Sequence, residues 1–263
     1  MLTQTFFKPF FRIVMKIVVN QKYIALSEYV HSIPERFEQE GSVIYKARNE
    51  IRVFDVNGQR INVKRFKIPR LLNRFVYTFF RKPKAQRSFE YANRLHEMGI
   101  GTPQPVAYIL IKKRGLLHYS YFISYQVDYN RNMYEFGTGG TNGREHILKA
   151  FAGFTAAIHE KGVLHKDYSP GNILFREENG VTDFCLVDLN RMQFGEVPVL
   201  KGCANLVRLW GQQPFFELVV REYATLRHAD PEQCLQYAIQ ARRKFWRQYT
   251  RKHPLPFPDF DTL

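Results

Sequence analysis

The sequence predicts an α+β fold of two lobes, with an antiparallel sheet and one helix first and a mainly helical region after it. Two patterns carry this reading. Short runs rich in β-branched and aromatic residues recur between Ser42 and Val127, whereas beyond a turn-rich patch at Gly137 to Gly143 the apolar spacing lengthens to three and four residues. A third observation sets the scale: 45% of the 263 residues are hydrophobic, enough for a real core, so disorder is not expected. The lobes are expected to span residues 1–127 and 128–263.

The opening segment MLTQTFFKPFFRIVMKIVVN resembles a signal peptide only superficially. Lys8, Arg12 and Lys16 interrupt it and no small-residue cleavage site follows, so it is expected to be retained. Those bases recur at every fourth residue, as on an interfacial helix, but Pro9 and the β-branched run Ile13 to Val19 favour a short strand. Three strands then follow, SVIYKA, EIRVFDV and RINVKRF. Asn57-Gly58 between the last two is a two-residue hairpin signal, because both positions of such a turn need positive φ. A basic, aromatic connector runs to Pro83. KAQRSFEYANRLHEMGI places Phe89, Ala92, Leu95 and Met98 at helical spacing and stops at Gly99 and Gly101 ahead of Pro103. VAYILI and YSYFISYQV read as two more strands. In the second half EHILKAFAGFTAAIHEKG is a helix ending at Gly162, GNILF and FCLVDL are paired strands, and helices are expected at 202–210, 215–227 and 231–251.

Charge and cysteine content narrow the function classes. The net charge is +15, and residues 1–90 hold 18 Lys/Arg against 7 Asp/Glu. From Arg60 to Arg87 there are ten bases and no acid, a face suited to phosphate-rich partners or, more blandly, a solvated surface. Cys185, Cys203 and Cys234 form no Cys-x-x-Cys pair, which points to a reducing compartment without disulfides or a thiolate zinc site. No stretch of roughly 18 apolar residues offers a membrane span.

The chemistry lies in His165-Lys166-Asp167-Tyr168-Ser169-Pro170-Gly171-Asn172, followed by Leu186-Val187-Asp188-Leu189-Asn190. An Asp five residues before an Asn, and a second Asp at the end of a later strand, resemble the catalytic and metal-binding loops of protein-kinase-like enzymes. Phosphoryl transfer needs a carboxylate to orient and deprotonate the acceptor hydroxyl, and amide and carboxylate oxygens to hold magnesium against the phosphates. Asp167, Asn172 and Asp188 fit those roles in that order. The same chemistry needs a lysine on the third strand and a helix glutamate to position it. Lys64 in INVKRF and Glu90 in RSFEYANRL are the candidates, with Lys67 and Arg65 as rivals for the lysine; strand alternation favours Lys64.

Together with IYKARNEIRVF, SFEYANRLHEMGIGTPQPVAY, HEKGVLHKDYSPGNILF and VDLNRMQF, these segments resemble the bacterial lipopolysaccharide core kinases of the Kdo/WaaP family over roughly Ser42 to Phe194. The resemblance implies a two-lobed protein-kinase-like fold, with a nucleotide-binding first lobe and catalytic and metal loops in the second. It implies ATP and Mg2+ as cofactors and phosphorylation of a Kdo or heptose hydroxyl. The implied partners are a lipopolysaccharide core or other glycolipid acceptor and the anionic inner-membrane surface, with no nucleic acid. The implied location is cytoplasmic and peripheral on the inner face of the inner membrane. Departures from the kinase pattern are informative. YKARNEIR stands where a Gly-rich loop would lie, offering Lys46, Arg48 and Asn49 to phosphate instead. Asp-Leu-Asn replaces Asp-Phe-Gly, with Asn190 the non-glycine type best suited to a left-handed backbone. Lys166 replaces the usual Arg, and no Ala-Pro-Glu follows Asp188. The platform for protein substrates is therefore missing, which favours a small or glycolipid acceptor. Two other readings remain: a kinase of a protein or soluble small molecule, and a non-catalytic module binding anionic membrane. His159 and His165 read as structural hydrogen-bonders, and the aromatic run Phe75 to Phe80 reads as core, with a nucleic-acid stacking surface or membrane contact as its alternatives.

Overall fold

A computed structural model describes residues 3–8, 13–138 and 140–255. Pro9, Phe10 and Arg12 of the opening segment, and most of the proline-rich tail, lie outside the described residues. The chain divides into two compact units, Met1–Asp128 and Tyr129–Leu263.

The first unit is a seven-stranded antiparallel sheet with helices on it. In chain order its elements are β1 (Thr3–Lys8), β2 (Ile13–Val19), α1 (Ser27–Arg36), β3 (Ser42–Lys46), β4 (Glu50–Val56), β5 (Gln59–Phe66), α2 (Leu71–Phe79), α3 (Lys84–Glu97), β6 (Pro105–Lys113) and β7 (Leu116–Tyr125). The strands lie in the order β1-β2-β6-β7-β5-β4-β3. The β-branched run Ile13 to Val19 is a strand because Ile17, Val18 and Val19 find a buried surface beside β6. The strand β6 is buried along most of its length because both faces are covered. Ala107, Ile109 and Ile111 join Val30, Ile33 and Phe37, from α1 and its C-terminal end, in one core. Tyr108, on the other face, meets Phe89 of α3 at 5.3 Å between ring centroids. The β4–β5 hairpin turns at Asn57 and Gly58 with φ of 54° and 76°, pairing Val56 with Gln59.

The region from Arg70 to Phe80 differs from the sequence reading on two counts. It is a helix rather than a connector, and its phenylalanines are exposed rather than core. Phe75, Phe79 and Phe80 all face solvent, because the side chains that α2 turns toward β7 are polar ones. Arg74 Nε donates to the Leu117 carbonyl at 2.8 Å, and Thr78 Oγ1 accepts from the Leu117 amide at 2.9 Å.

The second unit contains β8 (Arg131–Asn132), α4 (Glu135–Thr138), α5 (Glu145–Glu160), β9 (Val163–His165), β10 (Ile173–Glu178), β11 (Val181–Leu186), β12 (Met192–Phe194), α6 (Val199–Asn205), α7 (Gln213–Leu226) and α8 (Pro231–Tyr249). Its core is aromatic: Phe136, Phe151, Phe175, Phe184 and Phe215 are all buried. The long helix α5 ends where Gly162 adopts φ of 71°; a Cβ there would meet the Gly195 carbonyl oxygen at 3.0 Å. That closeness lets β9 pair with β12, Met192 opposite His165, and so fixes both ends of the polar loop between them.

Candidate active site

The loop from His165 to Asn172 is held by its own polar atoms. Asn172 Nδ2 donates to the Asp167 carbonyl at 2.8 Å and to Ser169 Oγ at 3.1 Å, closing the turn and setting the amide plane. The Val187 amide donates to the Asn172 carbonyl at 3.0 Å, so the residue before Asp188 is tied to Asn172 through main chain. His165 completes the frame. Its Nδ1 accepts from the Asp167 amide at 3.1 Å, which leaves the ring proton on Nε2 to donate to the Val187 carbonyl at 3.0 Å. Burial pushes the pKa of His165 down, consistent with a neutral ring that bridges the two loops. The His165 carbonyl in turn accepts from Asn205 Nδ2 at 3.1 Å, and His159 lies between Tyr223 and Asn205. Both histidines are thus structural, as the sequence reading had them. Among the described residues no group of three or more His, Cys, Asp or Glu is placed to hold a metal.

Asp167, Asn172 and Asp188 therefore sit on one hydrogen-bonded frame in the second unit. Asp188 takes the left-handed conformation, φ 56° and ψ 47°, and its Oδ1 accepts from Asn190 Nδ2 at 2.6 Å. The left-handed residue is Asp188 itself rather than Asn190, which lies in the 3-10 turn Leu189–Arg191 and spends its amide on the aspartate. Holding a non-glycine residue in that region costs about 1 kcal/mol or more.

Sequence reading missed two arginines. Arg208 Nη1 lies 3.0 Å from Asp167 Oδ1, and Arg191 Nη1 lies 3.2 Å from Asp167 Oδ2, so each carboxylate oxygen has a cation. Arg191 follows Asp188-Leu189-Asn190 directly and was within reach of motif reasoning. Arg208 stands 41 residues from Asp167 and is brought there by the 3-10 turn after α6, with its guanidinium over the Phe245 ring at 5.0 Å.

In the first unit Lys64 lies on β5 opposite Ile51 and Phe122, its ammonium 5.4 Å from the centroid of Phe66. Its neighbour Arg65 is engaged on the other face. Arg65 pairs with Glu38 and, at 2.8 Å, with buried Glu50, which also holds Arg52 at 2.7 Å. Glu90 lies on α3, its carboxylate held by Lys82 at 2.8 Å and by Gln86 at 2.9 Å. At the β3–β4 turn, Asn49 Oδ1 accepts from the Lys67 amide at 3.2 Å, while Lys46 and Arg48 are exposed.

An antiparallel sheet carrying a helix, followed by a helical unit with an Asp-Asn loop and a strand-terminal Asp, defines a protein-kinase-like phosphotransferase. Comparison with known families narrows this: residues 46–210, well over half of the chain, match the lipopolysaccharide kinase (Kdo/WaaP) family, and the chain belongs to it. It is accordingly an ATP-dependent phosphotransferase. Among solved structures it is similar to WaaP in complex with acyl carrier protein, with TM-score 0.60 and 17% identity over 88% of this chain and 99% of that one. It is also similar to a thermostable mutant of an aminoglycoside phosphotransferase, with TM-score 0.47 and 12% identity over 84% and 90% of the two chains. The Mycobacterium tuberculosis PknI kinase domain is a third, with TM-score 0.41 and 15% identity over 77% and 92%. No curated protein matches by sequence.

Proposed function

We propose that the chain transfers the γ-phosphoryl group of ATP to a hydroxyl of Kdo or heptose in the lipopolysaccharide inner core, working peripherally at the cytoplasmic face of the inner membrane. The observation that carries this reading is the Asp167 carboxylate, fixed on the loop that Asn172 closes and flanked by two guanidiniums. Asp167 is the base: as the acceptor oxygen bonds to the γ-phosphorus, its proton passes to the carboxylate. The bond from phosphorus to the β–γ bridging oxygen breaks, and ADP leaves with the electron pair.

Magnesium, which shields charge on the phosphates when bound, would be held by Asn172 and Asp188. The donor set fits a hard cation that keeps phosphate and water among its ligands: one amide oxygen and one carboxylate, with the Asn172 amide oriented by donation through Nδ2. Lys64 is assigned to the α/β-phosphates, supported by Arg65 being engaged by Glu38 and Glu50 on the opposite face of β5. Glu90 is assigned to positioning Lys64, with Lys82 also on its carboxylate.

Arg191 and Arg208 favour an acceptor bearing its own anionic group near the reacting hydroxyl, as a sugar acid or a phosphorylated core sugar does. Such a group would draw the guanidiniums from Asp167 and leave the carboxylate to the hydroxyl. The same pair disfavours a polycationic drug as acceptor. The deciding experiment offers radiolabelled ATP together with lipid-linked core oligosaccharide, a cell protein extract or an aminoglycoside. Label on the core oligosaccharide is expected. Label only on protein or on the drug would replace the acceptor assigned here.

A further inference from the structure

The helix α2 is amphipathic the wrong way round for a globular protein. Polar side chains turn inward: Arg74 and Thr78 bond to the Leu117 backbone of β7, and Tyr77 interacts with buried Arg87 of α3. Its apolar residues face solvent, with Leu71 70% exposed, Leu72 85%, Phe75 51%, Phe79 62% and Phe80 76%. Phe75 packs on Phe79 at 4.9 Å and on Phe80 at 5.7 Å, so the outer surface is one continuous aromatic and aliphatic ridge. Singly exposed apolar residues need no explanation, but a contiguous ridge marks an interaction surface. Cations border it at both ends, with exposed Lys67 and Arg70 before the helix and exposed Arg81 and Lys82 after it. No acidic residue occurs between Arg60 and Arg87.

We infer that α2 is a membrane-docking element, which lies in the plane of an anionic bilayer with Leu72, Phe75 and Phe79 among the acyl chains and the flanking bases on lipid phosphates. Its occupant is the lipid surface because the ridge is rich in phenylalanine and leucine and bracketed by positive charge, the combination that suits an interface between headgroups and acyl chains. The sheet-facing hydrogen bonds of Arg74 and Thr78 brace the helix so that its apolar face stays outward. The inference rests on the reading of the chain as a kinase of a membrane-anchored acceptor, since docking would hold the enzyme at the surface where that acceptor resides.

The test is flotation of the full chain, without nucleotide, with vesicles of phosphatidylethanolamine and phosphatidylglycerol, set against vesicles of phosphatidylcholine alone. The parent should float with the anionic vesicles and partition weakly to the neutral ones. Leu72→Glu with Phe79→Glu should lower the partition on the order of tenfold to a hundredfold. Its melting temperature and its label transfer to a water-soluble core oligosaccharide should match the parent. A variant that floats as well as the parent, or a parent that stays off both vesicles, would overturn the inference. So would a parent that is dimeric and becomes monomeric in the variant, since the ridge would then be a subunit interface. Loss of label transfer in both proteins with flotation as expected would refute the kinase reading and leave docking standing.

Discussion

At the scale of single residues, the loop around Asp167 depends on groups that must stay uncharged or small. His159 and His165 are buried, and burial lowers the pKa of both, that of His159 to about 4. A histidine with a depressed folded pKa binds its proton more readily in the unfolded chain, so stability is full above the unfolded value and falls as the pH drops below it. Between about pH 6.5 and 4, proton uptake at His159 on unfolding should lower stability by on the order of 1 kcal/mol per pH unit. His159→Gln should flatten that slope in chemical denaturation even if it lowers stability at neutral pH. Gly171 makes a different demand, since a Cβ there would meet the Tyr134 ring at 2.5 Å. Gly171→Ala should therefore push the half-exposed Tyr134 ring aside next to the turn that closes on Asn172, and lower label transfer measurably with little change in ATP affinity. Arg191→Ala should lower kcat/KM for an anionic acceptor on the order of tenfold while KM for ATP holds, as measured by steady-state kinetics. The spacing of Asp167, Asn172 and Asp188 was legible because phosphoryl transfer fixes which side chains a short loop must carry. The arginines were less so, Arg208 above all, because a contact across 41 residues leaves no local pattern.

At the scale of elements, the sequence spoke most clearly where one local rule dominated. Asn57-Gly58 names its own turn, and the even alternation of β5 separates Lys64 from Arg65 before any coordinates are known. The helix α1 went unread, since its Pro34 and mixed composition give weak periodicity and its burial comes from the core it shares with β5 and β6. The helix α2 was misread for the opposite reason. Its apolar content is high and suggests core, but which way a helix faces is decided by partners such as the Leu117 backbone, far along the chain. The buried cluster of Glu50, Arg52 and Arg65 is also non-local, joining β4 and β5. Glu50→Gln removes the buried carboxylate shared by Arg52 and Arg65, leaving exposed Glu38 as their remaining acidic partner, and should lower the unfolding free energy by about 1–2 kcal/mol, read from denaturant midpoints at neutral pH.

At the scale of the whole molecule, positive charge is concentrated in the first third of the chain. Residues 1–90 hold a surplus of eleven positive charges, 18 Lys/Arg against 7 Asp/Glu, whereas the Asp167 loop lies in the second unit. Attraction to an anionic surface should therefore weaken as salt is raised, read by flotation across a salt series. The central claim is that Asp167 takes the acceptor's proton during transfer from ATP to a core sugar. It is tested most directly by the single-turnover rate of label transfer onto core oligosaccharide with Asp167→Ala, at saturating ATP and magnesium. The account predicts a fall of about 100- to 10,000-fold with nucleotide binding retained. A rate equal to the parent's would contradict it.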